Sequence, residues 1–539
     1  MRVHVRRLLL VCAILVLLLP TLSINAQDQG VTLRIGTTLM IDTLNPGNGF
    51  YGYAVRPLWY DTLVSYLGGD QVGPGLAESW SVSPDGKTWT FKIRSGVKFQ
   101  DGTPLTAVEA AWNINWILQN QVPAMISYLN NVTGAKAIDA TTLEIDLSQP
   151  VPDMISAKLI YVWMLPPSVW KDKTGDDITN YADLPATMGS GPYKLTDYKE
   201  GEYMTMVANP DYWGGKPTVD KIIYQQYANE DALTQALIGG DIDLIIVAPA
   251  SGVAALQKAP NVKVSIADAF SLEELIINSS PDGTQPKSLN DPKVRLAIAH
   301  AIDKQTINTV AYLGHATVAN TFLPTAMTKF HDSAIQDDSF DLAAANKILD
   351  DAGYKDTDGD GIREWSDGSP LQYRLYAPTS DAYYARVIQI ISDDLKQIGI
   401  DAPPQTMDDD SMTALQKDYD DDLMYWGWNF DPDPSFALSI FTCAETEDGG
   451  WSDSGYCNKD YDALYQQEST TVDPTKRADL INQLQQKIFD DKPYIPVVYP
   501  QAISAYRSDR FTFADNLAIL NTPYALTHGF SVVGATGTS

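Results

Sequence analysis

The chain has 539 residues, 44% of them hydrophobic and 20% charged, and a formal net charge of −30. That length and composition fit a folded protein of two or three domains with a large core and exclude a disordered chain. So large a surplus of acids repels phosphate backbones and excludes nucleic acid as a partner, whereas solubility alone explains the charge without implying a cationic ligand.

Arg2, Arg6 and Arg7 precede an apolar run over residues 8–19, then Pro20 and a small-residue site at Ile24-Asn25-Ala26. This predicts an export signal over residues 1–26, with the mature chain starting at Gln27 and its charge moving to −33 as three arginines leave. The run is short for a bilayer, which disfavours the alternative of a retained anchor. Cys12 follows Leu10 and Val11 and not small residues, so no lipid anchor is expected there. The expected destination is the periplasm or cell envelope, as a soluble protein without a lipid anchor.

Residues 31–38 alternate as a strand and lead into Leu44-Asn45-Pro46, then a Gly/aromatic loop in which Tyr51 and Tyr53 are candidates to face a ligand. A helix through Leu58, Leu63 and Val64 is expected next. Over residues 76–107, Trp89, Phe91 and Ile93 alternate with polar residues between the turns Pro84-Asp85-Gly86 and Asp101-Gly102-Thr103-Pro104. Thr106-x-x-Glu109 is a capping box for the following helix. Gly189-Ser190-Gly191-Pro192-Tyr193 reads as a hinge or a tight crossover. Residues 231–240 form a short helix running into an apolar strand over 241–247. Further helices start at Asp291-Pro292, Asp341 and Asp473-Pro474, and another runs through Val387, Ile391, Leu395 and Ile398. Residues 534–539 are expected to be a disordered tail.

Two constellations suggest bonds to something other than core. Asp356, Asp358 and Asp360 at positions one, three and five, Gly361 at six, Ile362 offering a carbonyl at seven, Glu364 at nine and Asp367 at twelve follow a calcium-loop pattern. Calcium is therefore expected as a structural clip with no catalytic role, against the alternative of a solvated acidic turn. Of three cysteines, Cys12 leaves with the signal. Cys443 and Cys457 remain to form a disulfide in an oxidising compartment, contributing about 3 kcal/mol; metal binding by the two thiols is the weaker alternative.

Enzyme signatures are missing: no Gly-x-Ser-x-Gly, His-Glu-x-x-His, Cys-x-x-Cys or Walker loop occurs. His300, His315, His331 and His528 show no metal spacing, and such scarcity argues against a nickel carrier. Acids are so abundant that a chance carboxylate pair carries little weight, leaving a secreted hydrolase open as a remote alternative.

The 76–107 stretch, Leu44-Asn45-Pro46, Gly189-Ser190-Gly191-Pro192-Tyr193, Asn209-Pro210-Asp211-Tyr212-Trp213, Gly239-Gly240-Asp241-Ile242-Asp243, residues 295–303 and residues 344–354 resemble, in the same order, landmarks of the extracytoplasmic solute-binding proteins of family 5. These serve peptide, dipeptide and nickel ABC importers. The resemblance implies an α/β, two-lobed periplasmic-binding-protein fold of the class II (cluster C) type, with a small subdomain inserted in the first lobe. On that basis lobe I comprises residues 27–72, 189–270 and 502–539, the inserted subdomain 73–188 and lobe II 271–501. It also implies no enzymatic activity, a monomer, a small peptide or peptide-like ligand in the interlobe cleft and a membrane permease as partner.

In peptide-binding members, a loop like Tyr425-Trp426-Gly427-Trp428-Asn429-Phe430-Asp431-Pro432-Asp433-Pro434 supplies an aspartate for the ligand's α-amino group. Here Asn429 and Phe430 stand where that aspartate is expected, so Asp431 or Asp433 substitutes, or the anchor is missing. Trp426 and Trp428 offer flat faces to a peptide or, as the open alternative, to an oligosaccharide; they are core aromatics in the plainest reading.

Overall fold

The computed structural model describes residues 30–39, 43–48, 55–281, 283–381, 383–447, 449–513 and 530–532. The export segment, Tyr51, Tyr53, His528 and the 534–539 tail lie outside the described residues. None of the described helices is long and apolar enough to cross a membrane.

Twelve strands form one continuous hydrogen-bonded assembly that serves both lobes. In the first lobe, Thr32–Thr37 pairs in parallel with Lys221–Gln226 and Leu244–Ile245, and Tyr203–Ala208 and Tyr193–Lys199 extend that edge antiparallel. In the second, Ser271–Ile277 pairs with Leu423–Asn429, and the parallel strands Leu375–Pro378 and Pro404–Met407 continue outward. The 14-residue strand Tyr494–Arg507 joins them. Its first half bonds to Ser271–Ile277 and Ala316–Val318, and its second half to Val262–Asp268 and Leu244–Ile245. The chain thus crosses between lobes at residues 269–270 and again near Gln501.

Apolar periodicity sets the layers. Helices Pro292–Ala301, Leu342–Ala352 and Tyr384–Lys396 bury Val294, Ile298, Leu349, Val387, Ile391 and Leu395 on one face of the second sheet. Helix Pro474–Asp491 buries Ile481, Leu484 and Ile488 on the other. A separate four-stranded sheet, ordered Ala77–Val82, Thr88–Ile93, Thr142–Leu147 and Val132–Asp139, is covered by helix Ala107–Asn120. Its N-terminus carries the expected capping box of Thr106 and Glu109.

Three local expectations change. The run around Leu58–Val64 is a single 3-10 turn, Arg56–Leu58, followed by a hairpin of Val64–Gly68 with Gln71–Pro74. Nearly all of that run is buried, Thr62 included, and a segment buried on every side carries no period to separate helix from strand. In the 241–247 run only Leu244–Ile245 is strand, because Asp243 turns its carboxylate to Arg34 and Arg510. Finally, residues 189–193 are a tight crossover and not the interlobe passage. A Cβ on Gly189 would lie 2.2 Å from the Trp59 carbonyl oxygen, and one on Gly191 would lie 2.5 Å from the Trp59 carbonyl carbon.

Candidate functional site

Strand Leu423–Asn429 ends at the edge of the second lobe that faces the first. Side chains alternate along it: Leu423 and Tyr425 enter one core, while Met424, Trp426 and Trp428 pack on the opposite face. Both tryptophans are half-buried and Asn429 is exposed. The Trp428 Nε1–H donates to Asp453 Oδ2 at 3.0 Å, which fixes the indole plane.

The acids after the strand divide sharply. Asp433 is 2% exposed. Arg477 grips both its oxygens, with Nη1 to Oδ2 at 2.7 Å, and the Ser156 hydroxyl donates to Oδ2 at 2.8 Å. Burial pushes its carboxyl up, but the Arg477 guanidinium outweighs this and holds it below the ordinary range. The same guanidinium binds Glu468 Oε1 through Nε at 2.8 Å, while burial lifts Glu468 to about 7. Asp433, expected as a possible ammonium anchor, is therefore committed to the scaffold.

Asp431 is different. Its Oδ1 accepts from the Tyr161 hydroxyl at 2.6 Å, and no ion pair ties it down among the described residues. Burial, opposed by that hydrogen bond and reinforced by the charges of Asp433 and Asp153, raises it to about 6. Tyr161 packs on Tyr128 with ring centroids 4.9 Å apart. Both Tyr161 and Ser156 arrive from the neighbourhood of the π-helical turn Met154–Lys158, so the segment before the crossover meets the second lobe here. A further contact joins the lobes where Thr328 Oγ1 donates to Asp70 Oδ2 at 2.9 Å and Lys329 Nζ donates to the Asp70 carbonyl at 2.7 Å.

The 356–367 loop gathers four acids. Oxygens of Asp356, Asp358, Asp360 and Glu364 all lie within 4.8 Å of one another. Asp356 ties the turn by accepting from Gly359 and Gly361 N–H at 2.6 and 2.9 Å, and Asp360 accepts from Ile362 N–H at 2.8 Å. Gly361 adopts φ +93°, a conformation that favours glycine. Asp367 does not join the group. Its Oδ1 accepts from the Ser369 backbone N–H at 3.0 Å and the Ser369 hydroxyl at 2.6 Å, a local turn that captures it first.

Cys443 and Cys457 form the expected disulfide. His300 and His331 each place Nδ1 2.8 Å from a backbone carbonyl, of Ser339 and Leu323 respectively. Sequence reasoning missed Arg477, Ser156 and Tyr161, whose partners lie 44, 277 and 270 residues away and leave no local signal. It also missed Glu273 and Glu274, although two adjacent acids inside the apolar run 272–277 were visible.

Residues 71–448 match "Bacterial extracellular solute-binding proteins, family 5 Middle". The nickel-binding periplasmic protein of Escherichia coli K12 is 28% identical over 454 residues, spanning 82% of this chain and 83% of that protein. The glutathione-binding protein of the same strain is 26% identical over 501 residues, spanning 91% and 92%. The periplasmic oligopeptide-binding protein of Thermotoga maritima superposes with a TM-score of 0.82 at 22% identity, covering 94% of this chain and all of that one. With the two-lobed sheet and its two crossings, these matches establish the fold. The chain belongs to family 5 of the bacterial extracellular solute-binding proteins.

Proposed function

We propose that this chain is the substrate-binding component of an ABC importer. It captures an oligopeptide or peptide-like solute between its lobes and delivers it to a membrane permease. The observation that carries the ligand class is Asp431. It is a carboxylate with no ion pair among the described residues, held by the Tyr161 hydroxyl just beyond the Trp426–Trp428 strand end, and able to receive an ammonium. Trp426, Trp428 and Asn429 line the same edge and supply stacking and a polar grip. Binding shifts an open–closed equilibrium because a solute touches both lobes only when they are together.

Calorimetry with pooled di- to pentapeptides, cello-oligosaccharides and a nickel–histidine complex separates the classes. Saturable heat from peptides is expected, weakened at least tenfold or so by Asp431→Asn, which removes a charge-assisted bond. Heat from sugars alone, or from the nickel complex alone, overturns the peptide reading.

The oxygen cluster at Asp356, Asp358, Asp360 and Glu364 supports a structural calcium clip, with the Ile362 carbonyl as a further ligand. Millimolar calcium should raise the melting temperature relative to EDTA, and Asp358→Ala should erase that difference. The basic start, short apolar run and cleavage site of residues 1–26 support export as a soluble envelope protein. N-terminal mass analysis showing Gln27 first, without lipid, is the expected result.

A further inference from the structure

Strand Ser271–Ile277 carries two adjacent acids in an otherwise apolar, buried run. Adjacent residues of a strand face opposite sides. Glu273 receives the Tyr384 hydroxyl at 3.2 Å. Glu274 is fully buried, and neither of its carboxylate oxygens has a hydrogen-bond partner among the described residues. Its cross-strand neighbour is Trp426, with Trp428 opposite Leu272 on the same face.

Asp453, 4% exposed, takes the Trp428 indole N–H on Oδ2 and leaves Oδ1 unpartnered. The neighbouring Ser452 hydroxyl and Asp421 Oδ2 are also buried and have no partner among the described residues. After burial itself, the charges acting on Glu274 are those of Asp453 and Glu273, both acidic. Asp453 likewise weighs on Asp421.

Buried acceptors without donors are rare, and buried carboxylates are ordinarily compensated by a cation. A bare metal ion fits poorly. Among the described residues, only the acids of the 356–364 loop bring three or more ligand oxygens within 4.8 Å of one another. A metal needs such a tight shell, whereas an organic cation carries N–H donors spread over several ångströms.

We propose that Glu274, opposite Trp426 across the strand pair, and Asp453, bonded to Trp428, form a second subsite that accepts an ammonium or guanidinium side chain of the ligand, separate from Asp431. The indole faces attract the cation as it enters, and the carboxylates take its N–H donors. Without a guest, burial raises Glu274 well above the ordinary carboxylate range and lifts Asp453 to about 7, so cation entry should release protons to the buffer. This subsite deepens the peptide reading above and rests on it, so the test has two arms.

In the first arm, trilysine, triarginine, trialanine and triglutamate are titrated into the wild-type protein, Glu274→Gln and Asp453→Asn. Each amide replaces a buried acid that has no ion pair among the described residues by a neutral isostere, and the side-chain oxygen kept in Asp453→Asn can still accept from Trp428, so both variants should fold. The wild type should prefer trilysine or triarginine over trialanine by about tenfold or more. Its binding heat should differ between phosphate and Tris buffers as protons are released. Both variants should lose the preference while keeping their affinity for trialanine. Equal affinity for basic and neutral peptides, or a preference that survives in both variants, overturns the subsite.

If no peptide binds at all, the peptide reading falls and agmatine tests the subsite alone. The wild type should melt higher in agmatine than in sodium chloride of equal ionic strength, and the variants should not. An equal shift in all three proteins overturns the proposal.

Discussion

Arg477 holds Asp433 and Glu468 where water is almost excluded, and Ser435 closes the arrangement by donating to Glu468 at 3.0 Å. Removing the guanidinium leaves two acids buried without a counter-charge. Arg477→Met should therefore lower stability by about 3–5 kcal/mol, read from urea unfolding. Glu273 carries a different cost. Burial lifts it from the ordinary 4.5 to about 8, despite the Tyr384 hydrogen bond. The folded chain thus keeps a proton that the unfolded chain gives up. Its contribution is whole below the unfolded value and is lost as pH rises towards 8. Glu273→Gln should leave stability little changed at pH 4 and raise it, relative to wild type, by on the order of 3 kcal/mol at pH 8. Melting curves across that window check the sign, and a variant less stable at pH 8 than the wild type refutes it.

At the scale of elements, two of the family landmarks build scaffold together. Gly189–Tyr193 and Asn209–Trp213 converge on one half-buried acid, Asp61, which accepts from Ser190 Oγ at 2.7 Å, Tyr212 Oη at 3.1 Å and Trp213 Nε1 at 3.0 Å. Helices with a clear apolar period and a cap were legible: Pro292–Ala301, Leu342–Ala352 and Pro474–Asp491 start on the expected aspartates. The buried run near Leu58 was not, because nothing in it alternates. The 443–457 loop joins both kinds of information. Its disulfide was readable from cysteine usage, while its carriage of Asp453 to Trp428 was not. Replacing Cys443 and Cys457 by serine should cost about 3 kcal/mol and should shift tryptophan emission as Trp428 loses its fixed partner. Unchanged melting in the double variant would show that the loop is held by packing alone.

For the whole molecule, two chain crossings and a few interlobe hydrogen bonds govern motion. Under the proposed closure, Ser156–Asp433, Tyr161–Asp431 and the Asp70 contacts with Thr328 and Lys329 are bonds of the closed state. Combining Ser156→Ala with Tyr161→Phe should weaken peptide binding roughly three- to tenfold, since each lost bond is worth about 1 kcal/mol of the closed state. Melting should change little. X-ray scattering should show a smaller ligand-induced contraction at a given peptide concentration, and full contraction at wild-type concentrations would contradict this role.

Composition, period, caps and motif order determined the α/β class, the longest helices, the disulfide and the family. Each depends on residues that are neighbours in the chain or on a pattern repeated along it. The gathering of Asp356, Asp358, Asp360 and Glu364 was legible for the same reason, and Asp367 failed because Ser369 competed from two residues away. Only the tertiary structure decided which acid of the Asp431–Asp433 pair is locked in an ion pair. That choice belongs to Arg477 and Ser156, brought in from distant segments, because a buried charge is settled by whatever folding places beside it.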